Sequence, residues 1–595
     1  MPDPSAWAAL GGASNPSFSR DGTKLFHLRG AGLPQVWELT IATGESRQLS
    51  RHDEKVAILR RFPKDDRLLW GIDAGGDERQ QLWLSDGSGE ARSLTYDRNV
   101  IHDFGAFSPE GDRIAYSAND RHTACFDVLV MDVGTGQRRR LLQGEGHRAV
   151  TNWSPTGDRI IVLADVSSSD QILQFVDVTT GAAADLPRPG PTRYAAARFT
   201  ADGKTLHALT DHGGADFMRL CRIDAESGSV TPLFAPAGRD VEAYSLTPDG
   251  KLLATVENDR GYAVLRVGEV GTDRPAVTGL PKGIVGDLAW SADNTLLAFA
   301  AQSPTVPPGL WIWEAARKAA RPVWQPDPKA ETGIDPASFR DFELVSWHSK
   351  DGTEIPGWFI RPASPPPAGG YKSVIWVHGG PASQTRANFR PDIQMLLDQG
   401  YAVMMPNVRG STGYGRAWME SDDLGNRGIA VADLVAGRAW LAKQPGIDPE
   451  RIGIMGQSYG GWAVLAAITQ HPELWRAAVD YYGIADWYTL LRDTGPWRRD
   501  HRAHEYGFPG RDDEVLEAQS PIRRVSAVTA PLLVAHGDRD PRVPMNESEQ
   551  FVDAMARHQK RVRYERFTYA GHGFIRPDHR RRIYSAVAEH FATHL

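Results

Sequence analysis

The stretch Gly456-Gln457-Ser458-Tyr459-Gly460-Gly461 carries the side chain best placed for covalent chemistry, because it follows an apolar run, Arg451 to Met455, and opens a helical one from Trp462. That setting suits a nucleophile elbow. Gly456 and Gly460 let the chain turn sharply from strand to helix and hold the Ser458 hydroxyl strained and exposed at the top of a sheet. A Gly-rich chain also produces this pattern as an ordinary turn, so the partners must decide between the two. A serine hydroxyl is a poor nucleophile at neutral pH. It needs a histidine to accept its proton and a carboxylate to orient that histidine and stabilise its charged form.

Both partners occur downstream, in the order Ser, acid, His that α/β-hydrolases use, each on a loop after a late strand. Pro531 to Ala535 reads as a buried parallel strand, followed by His536-Gly537-Asp538-Arg539-Asp540. Arg563 to Phe567 reads as the next, followed by Tyr569-Ala570-Gly571-His572-Gly573-Phe574. Any one of the 18 histidines is by default a solvated or structural ring, but the Gly-His-Gly setting after a strand singles out His572. An oxyanion hole needs two donors. The backbone N–H of Tyr459, directly after the nucleophile, is one; a backbone N–H of the loop His378-Gly379-Gly380-Pro381, after the apolar strand Ser373 to Val377, is the other.

Taken together, the HGGP motif at His378, Asn407-Val408-Arg409-Gly410-Ser411-Thr412-Gly413-Tyr414-Gly415, GQSYGG at Gly456, His536-Gly537-Asp538-Arg539-Asp540-Pro541-Arg542-Val543-Pro544 and Ala570-Gly571-His572-Gly573-Phe574 resemble the prolyl oligopeptidase family of serine peptidases, especially its acylaminoacyl-peptidase branch. The resemblance implies that the triad acid sits four residues after the histidine of HGxxDxxV, which selects Asp540 over Asp538 and leaves Asp538 as a loop or capping residue. It assigns the second oxyanion donor to Gly380. It implies that Arg542, two residues past the acid, binds a substrate carbonyl upstream of the scissile bond, where the plain reading is a surface arginine paired with a loop carboxylate. By the same resemblance Ile484 and Trp487 fall on positions of an apolar specificity pocket, with Trp497 and Val543 closing its wall. Such a pocket prefers an apolar or aromatic side chain to a charged one.

The first half of the chain repeats. An aromatic or apolar residue, Ser or Thr, and a turn with Asp or Gly recur before an apolar strand at Phe18, Phe62, Phe107, Trp153, Phe199, Leu246 and Trp290. These seven units are spaced by about 44–47 residues, the length of a propeller blade of four short strands. Unrelated Asp-Gly turns would not keep the period. The expected fold is therefore two-domain, a seven-bladed β-propeller plus a C-terminal α/β-hydrolase domain. The expected boundaries are an N-terminal extension over 1–14, the propeller over 15–325, a Pro-rich linker over 326–340 and the hydrolase over 341–595.

Composition narrows the function. A formal net charge of −7 and a pI near 6.2 give no electrostatic case for nucleic-acid binding. No apolar run reaches membrane-spanning length, and the N-terminus lacks a basic region followed by an apolar stretch, so no membrane or export role is expected. The two cysteines, Cys125 and Cys221, fall in separate units and fit a cytoplasmic setting. No spacing suggests a metal, and no cofactor motif is present. The reading is a cytoplasmic serine peptidase acting on short peptides or N-acylated amino-acid amides, with the propeller restricting substrate size. Its alternatives are a hydrolase of a small-molecule aminoacyl amide or ester, and a partner-binding propeller on an inactive hydrolase domain. The oligomeric state is left open, a homo-oligomer included.

Overall fold

The computed structural model of the protein describes residues 3–595. Seven small antiparallel sheets succeed one another from Gly12 to Trp324, forming a seven-bladed propeller. The repeated sequence signature is the turn between the first and second strand of each blade. In the first blade the Ser19 hydroxyl donates to Asp21 at 2.6 Å, and Asp21 also accepts from the backbone of Thr23 at 3.0 Å. The same Ser/Thr–Asp clasp holds the turns at Ser108 with Asp112, Ser154 with Asp158, Thr200 with Asp202, Thr247 with Asp249 and Ser291 with Asp293. A short polar side chain that bonds its own turn is what keeps the period so regular.

Six blades have four strands; the sixth has three, Asp240–Leu246, Leu252–Asp259 and Tyr262–Glu269. The expectation of four strands per unit fails there because Gly271 and Pro275 interrupt the returning segment, which makes only an isolated bridge between Arg266 and Ala276. Among the described residues no strand is exchanged to close the ring. First and last blades meet instead through apolar packing of Ala13, Leu25 and Leu39 against Ala298, Leu310 and Ile312.

The second domain is built on one eight-stranded sheet. Its order is Glu343–His348, Glu354–Ile360, Ala402–Pro406, Tyr371–Val377, Ile447–Gln457, Ala478–Tyr481, Leu532–Gly537 and Val562–Phe567. The last six strands are parallel, and Glu354–Ile360 runs antiparallel to both of its neighbours. Being covered on both faces, the central strands are apolar throughout, as in Val374-Ile375-Trp376-Val377. One face packs on the helix Tyr459–Gln470 through Trp462, Leu465 and Ile468. The other packs on the C-terminal helix Pro577–His594 through Ile583, Val587 and Phe591. Trp7, in the short helix Pro4–Trp7, is buried in that second layer beside Phe339, so the N-terminal segment docks on the hydrolase domain. Cys125 and Cys221 lie in the third and fifth blades as free thiols.

Candidate active site

Ser458 sits between the strand Ile447–Gln457 and the helix Tyr459–Gln470 with φ 57° and ψ −122°, a left-handed conformation that strains any residue with a Cβ. The neighbouring glycines make the turn sterically feasible. A Cβ at Gly456 would collide with the carbonyl of Gly460, and one at Gly460 with the carbonyls of Val377 and His378. The elbow thus packs flush against the end of the strand Tyr371–Val377.

Ser458 Oγ lies 3.0 Å from His572 Nε2, and His572 Nδ1 lies 2.6 Å from Asp540 Oδ2. With Nδ1–H donating to the carboxylate, Nε2 is free to accept the serine proton. The other Asp540 oxygen accepts from the backbone N–H groups of Arg542 and Val543 at 2.9 and 3.0 Å. Burial favours the protonated form of Asp540, but the adjacent His572 and the hydrogen bonds from His536 and His572 outweigh it and hold the carboxyl well below the usual range. It is a carboxylate at any pH near neutrality. Asp538 does a different job: its Oδ1 accepts from the Tyr569 and Ala570 backbone at 2.7 and 3.4 Å, tying down the loop that carries His572.

The Tyr459 N–H is the first of its helix and has no partner within it, so it faces outward from the positive end of the helix dipole. Gly380 is set by a neighbour that sequence reasoning did not assign. His378 Nδ1 donates to the Gly379 carbonyl at 2.7 Å, and since C=O and N–H of one trans peptide point in opposite directions, this turns the Gly380 N–H away from His378. Ser411 Oγ, 3.0 Å from His378 Nε2, fixes the ring from behind.

Residues expected to form the specificity pocket separate in the structure. Ile484 and Val543 line a small cavity of about 80 Å³ next to Ser458, Gly380 and His572. Trp487 does not reach it. Its indole N–H donates to the Gln519 carbonyl at 3.1 Å and its ring stacks on Tyr506 at 4.3 Å, so it buttresses the pocket from the core. Trp497 points across the domain boundary to Phe126 of the propeller, with ring centroids 6.0 Å apart, and lines a larger chamber instead. The places left open are taken by Leu490, Thr494, Arg502 and Tyr506. Arg502 and Tyr506 are four residues apart on the helix Pro496–Tyr506, a spacing that puts them on one face, and Thr494 caps the helix that carries Leu490. The expected apolar pocket therefore has a polar side, with the guanidinium groups of Arg502 and Arg542, a phenol and a hydroxyl.

Arg542 reaches across the boundary. Its guanidinium is hydrogen-bonded to Glu78 of the second blade, and the other Glu78 oxygen accepts from Arg498 at 2.8 Å. These groups line a chamber of about 780 Å³ between the domains, whose propeller wall includes Asp73, Glu78, Asp103, His147 and Asp165. A second cavity of about 460 Å³ adjoins Ser458 and His572 along the loop from His378 to Thr385. Behind the elbow, the Tyr459 hydroxyl donates to Asp422 at 2.7 Å, and Asp422 is paired at 3.1 Å with the fully buried Arg427. That network pins the residue whose N–H faces the nucleophile. Among the described residues there is no cluster of side chains able to hold a metal ion and no helix long and apolar enough to cross a membrane.

The profile of the prolyl oligopeptidase family matches residues 387–595, which hold the elbow and both loops that meet it. The C-terminal part of the chain thus carries the prolyl oligopeptidase family domain. The chain is a serine peptidase. Dipeptidyl aminopeptidase BIII of Pseudoxanthomonas mexicana is 28% identical over 545 residues, covering 88% of this chain and 78% of that protein. The acylamino-acid-releasing enzyme of Homo sapiens is 28% identical over 329 residues, 51% of this chain and 43% of that one. A crystal structure of puromycin hydrolase superposes with a TM-score of 0.87 at 21% identity, covering 99% of this chain and 96% of the other. The last shows that this chain shares the whole propeller-plus-hydrolase fold.

Proposed function

We propose that this serine peptidase cleaves short peptides or N-acylated amino-acid amides through an acyl-enzyme, with the propeller limiting substrate size. The observation that carries the reading is the Ser458–His572–Asp540 relay, whose own cavity in the hydrolase domain shares Arg542 with a chamber walled by both domains. In this reading Ser458 Oγ attacks the substrate carbonyl while His572 Nε2 takes its proton. Asp540 orients the imidazole and stabilises its charged form. The N–H groups of Tyr459 and Gly380 receive the developing oxyanion, a role in which one lost donor typically raises the barrier by about 2.7–4 kcal/mol. His572 then protonates the departing amine, and water repeats the sequence to release the acid.

The test is labelling of Ser458 by a fluorophosphonate, combined with hydrolysis of a peptide ladder of increasing length by wild type and Ser458→Ala. Labelling at Ser458, loss of turnover by about six orders of magnitude in the variant, and decline of kcat/KM with substrate length support the proposal. An unlabelled serine would favour a partner-binding role, and a folded protein cut as readily as a pentapeptide would remove the size filter.

Glu78 favours a second reading of the substrate. A carboxylate presented by the propeller and bonded to Arg542, which lines both the small pocket and the chamber, suits a free α-amino group two residues from the scissile bond, the arrangement a dipeptidyl aminopeptidase would use. Matched substrates with free and acetylated N-termini distinguish it. Preference for the free amine selects the dipeptidyl reading, and preference for the blocked one selects the acylaminoacyl reading.

A further inference from the structure

Five arginines stand around Ser458 and its cavities, and four of them have a hydrogen-bonded carboxylate: Arg390 with Asp392, Arg427 with Asp422, and Arg498 and Arg542 with Glu78. Arg502 is the exception among the described residues. Its nearest carboxylate oxygen, on Glu505, is 4.0 Å away, and the Glu505 oxygens have no hydrogen-bond partner. That carboxyl lies beside Arg427 in the core, and burial pushes it up to about 7, so its charge is only partly present near neutral pH and is shared with Arg427. The one hydrogen bond of the Arg502 side chain goes from Nη1 to the Tyr506 hydroxyl at 3.3 Å, and Tyr506 in turn donates to the Gly380 carbonyl at 3.4 Å.

A guanidinium has five N–H donors in a planar fork, so most of the capacity of Arg502 is unspent. Its side chain is 27% exposed, and it lines the small cavity beside Ser458 together with Ile484, Leu490 and Val543. A partly desolvated guanidinium without a hydrogen-bonded carboxylate has donors to offer in a confined site, and a substrate carboxylate would take them. The cavity abuts Ser458 and the Gly380 peptide, which places in it the side chain next to the carbonyl under attack. We propose that Arg502 makes this pocket selective for an acidic residue, Asp or Glu, on the acyl side of the scissile bond, its aliphatic part against Leu490 and Val543 and its carboxylate on the guanidinium. This rests on the serine-peptidase reading above and reverses the apolar preference expected from sequence.

The experiment compares Ala-Glu, Ala-Gln and Ala-Leu p-nitroanilides, each with free and acetylated N-terminus, on wild type, Arg502→Lys and Arg502→Met, with fluorophosphonate labelling of every preparation. Wild type should favour Glu over Gln by about tenfold to a hundredfold in kcat/KM, the range of a charge-assisted hydrogen bond. Arg502→Met should bring the Glu/Gln ratio to near one, and Arg502→Lys should retain part of it. A wild type that labels and cleaves Ala-Leu or Ala-Gln better than Ala-Glu overturns the acidic preference alone, even if no variant folds. So does a ratio unmoved by Arg502→Met, which would make Arg502 a partner of Tyr506 and Glu505 only. Absence of labelling and of hydrolysis overturns the peptidase reading and this one with it.

Discussion

Glu78, on a loop of the second propeller blade, is hydrogen-bonded to Arg542, which lies two residues past Asp540 and 464 positions away along the chain. The residue that sequence resemblance assigned to substrate binding is thus held from the opposite domain. If Arg542 binds a substrate carbonyl with its remaining donors, Arg542→Ala should lower kcat/KM about tenfold to a hundredfold for a peptide that offers this carbonyl, and little for a minimal ester. Glu78→Gln should lose part of that effect, and the double variant no more than Arg542→Ala alone, because the two act through one contact. Equal fractional losses on every substrate would make Arg542 a support of the Asp540 loop.

The two aspartates of the loop after Leu532–Gly537 differ in what they bond, and their variants should differ accordingly. Asp540→Asn should reduce kcat by about four orders of magnitude, since the amide no longer favours the Nδ1–H tautomer of His572. Asp538→Asn should be mild because its amide oxygen still accepts from Tyr569 and Ala570, whereas Asp538→Ala should loosen the His572 loop and lower stability by about 1–3 kcal/mol. Steady-state kinetics with denaturant melts on all three variants separate the roles. The opposite ranking in kcat would move the triad acid to Asp538.

His378 offers a test of the oxyanion donor that leaves the nucleophile intact. Removing its bond to the Gly379 carbonyl frees the peptide that carries the Gly380 N–H. His378→Ala should lower kcat by up to about 10²–10³, the loss associated with one oxyanion donor, with a smaller change in KM. A change confined to KM would assign the loop to substrate binding.

How far the site was legible follows from how local its causes are. Ser458, Asp540 and His572 each stand in a short motif whose glycines and flanking strand already imply a turn at the carboxyl end of a sheet, so type and spacing suffice to name them. The blade turns were readable for the same reason, since a Ser or Thr bonded to an Asp two to four residues on is a local event. Glu78 was not readable, because its partners Arg498 and Arg542 come from another domain. Trp487 and Trp497 were placed at the pocket by family resemblance. Their actual places depend on the direction of two short helices: the first turns its indole toward Gln519 in the core, and the second carries Trp497 to the propeller while turning Arg502 and Tyr506 inward. Side-chain direction on a short helix is a tertiary outcome.

The last prediction concerns pH and the propeller wall of the chamber. His147 bridges two blades, with Nε2 3.0 Å from Asp103 and Nδ1 2.8 Å from Asp165. Burial lowers its pKa, but hydrogen bonds and charge from both carboxylates prevail and lift it to about 9, so the ring carries a proton on both nitrogens at neutral pH. His501, on the hydrolase helix that faces it, is pushed by burial down to about 4 and adds no competing charge. A histidine whose folded pKa exceeds its unfolded value contributes stability that is complete below the unfolded value of about 6.5 and lost as pH rises through the folded one. Unfolding free energy should therefore fall between pH 6.5 and 9 by at most about 3 kcal/mol from this group, the equivalent of the shift at 1.36 kcal/mol per unit. His147→Gln should be less stable than wild type at pH 6 and show a flatter decline toward pH 9. Thermal melts of both proteins at pH 6, 7.5 and 9 provide the measurement. A wild-type Tm that rises over this interval while the variant's stays level would mean that His147 is neutral in the fold, and that Asp103 and Asp165 are held by something other than its charge.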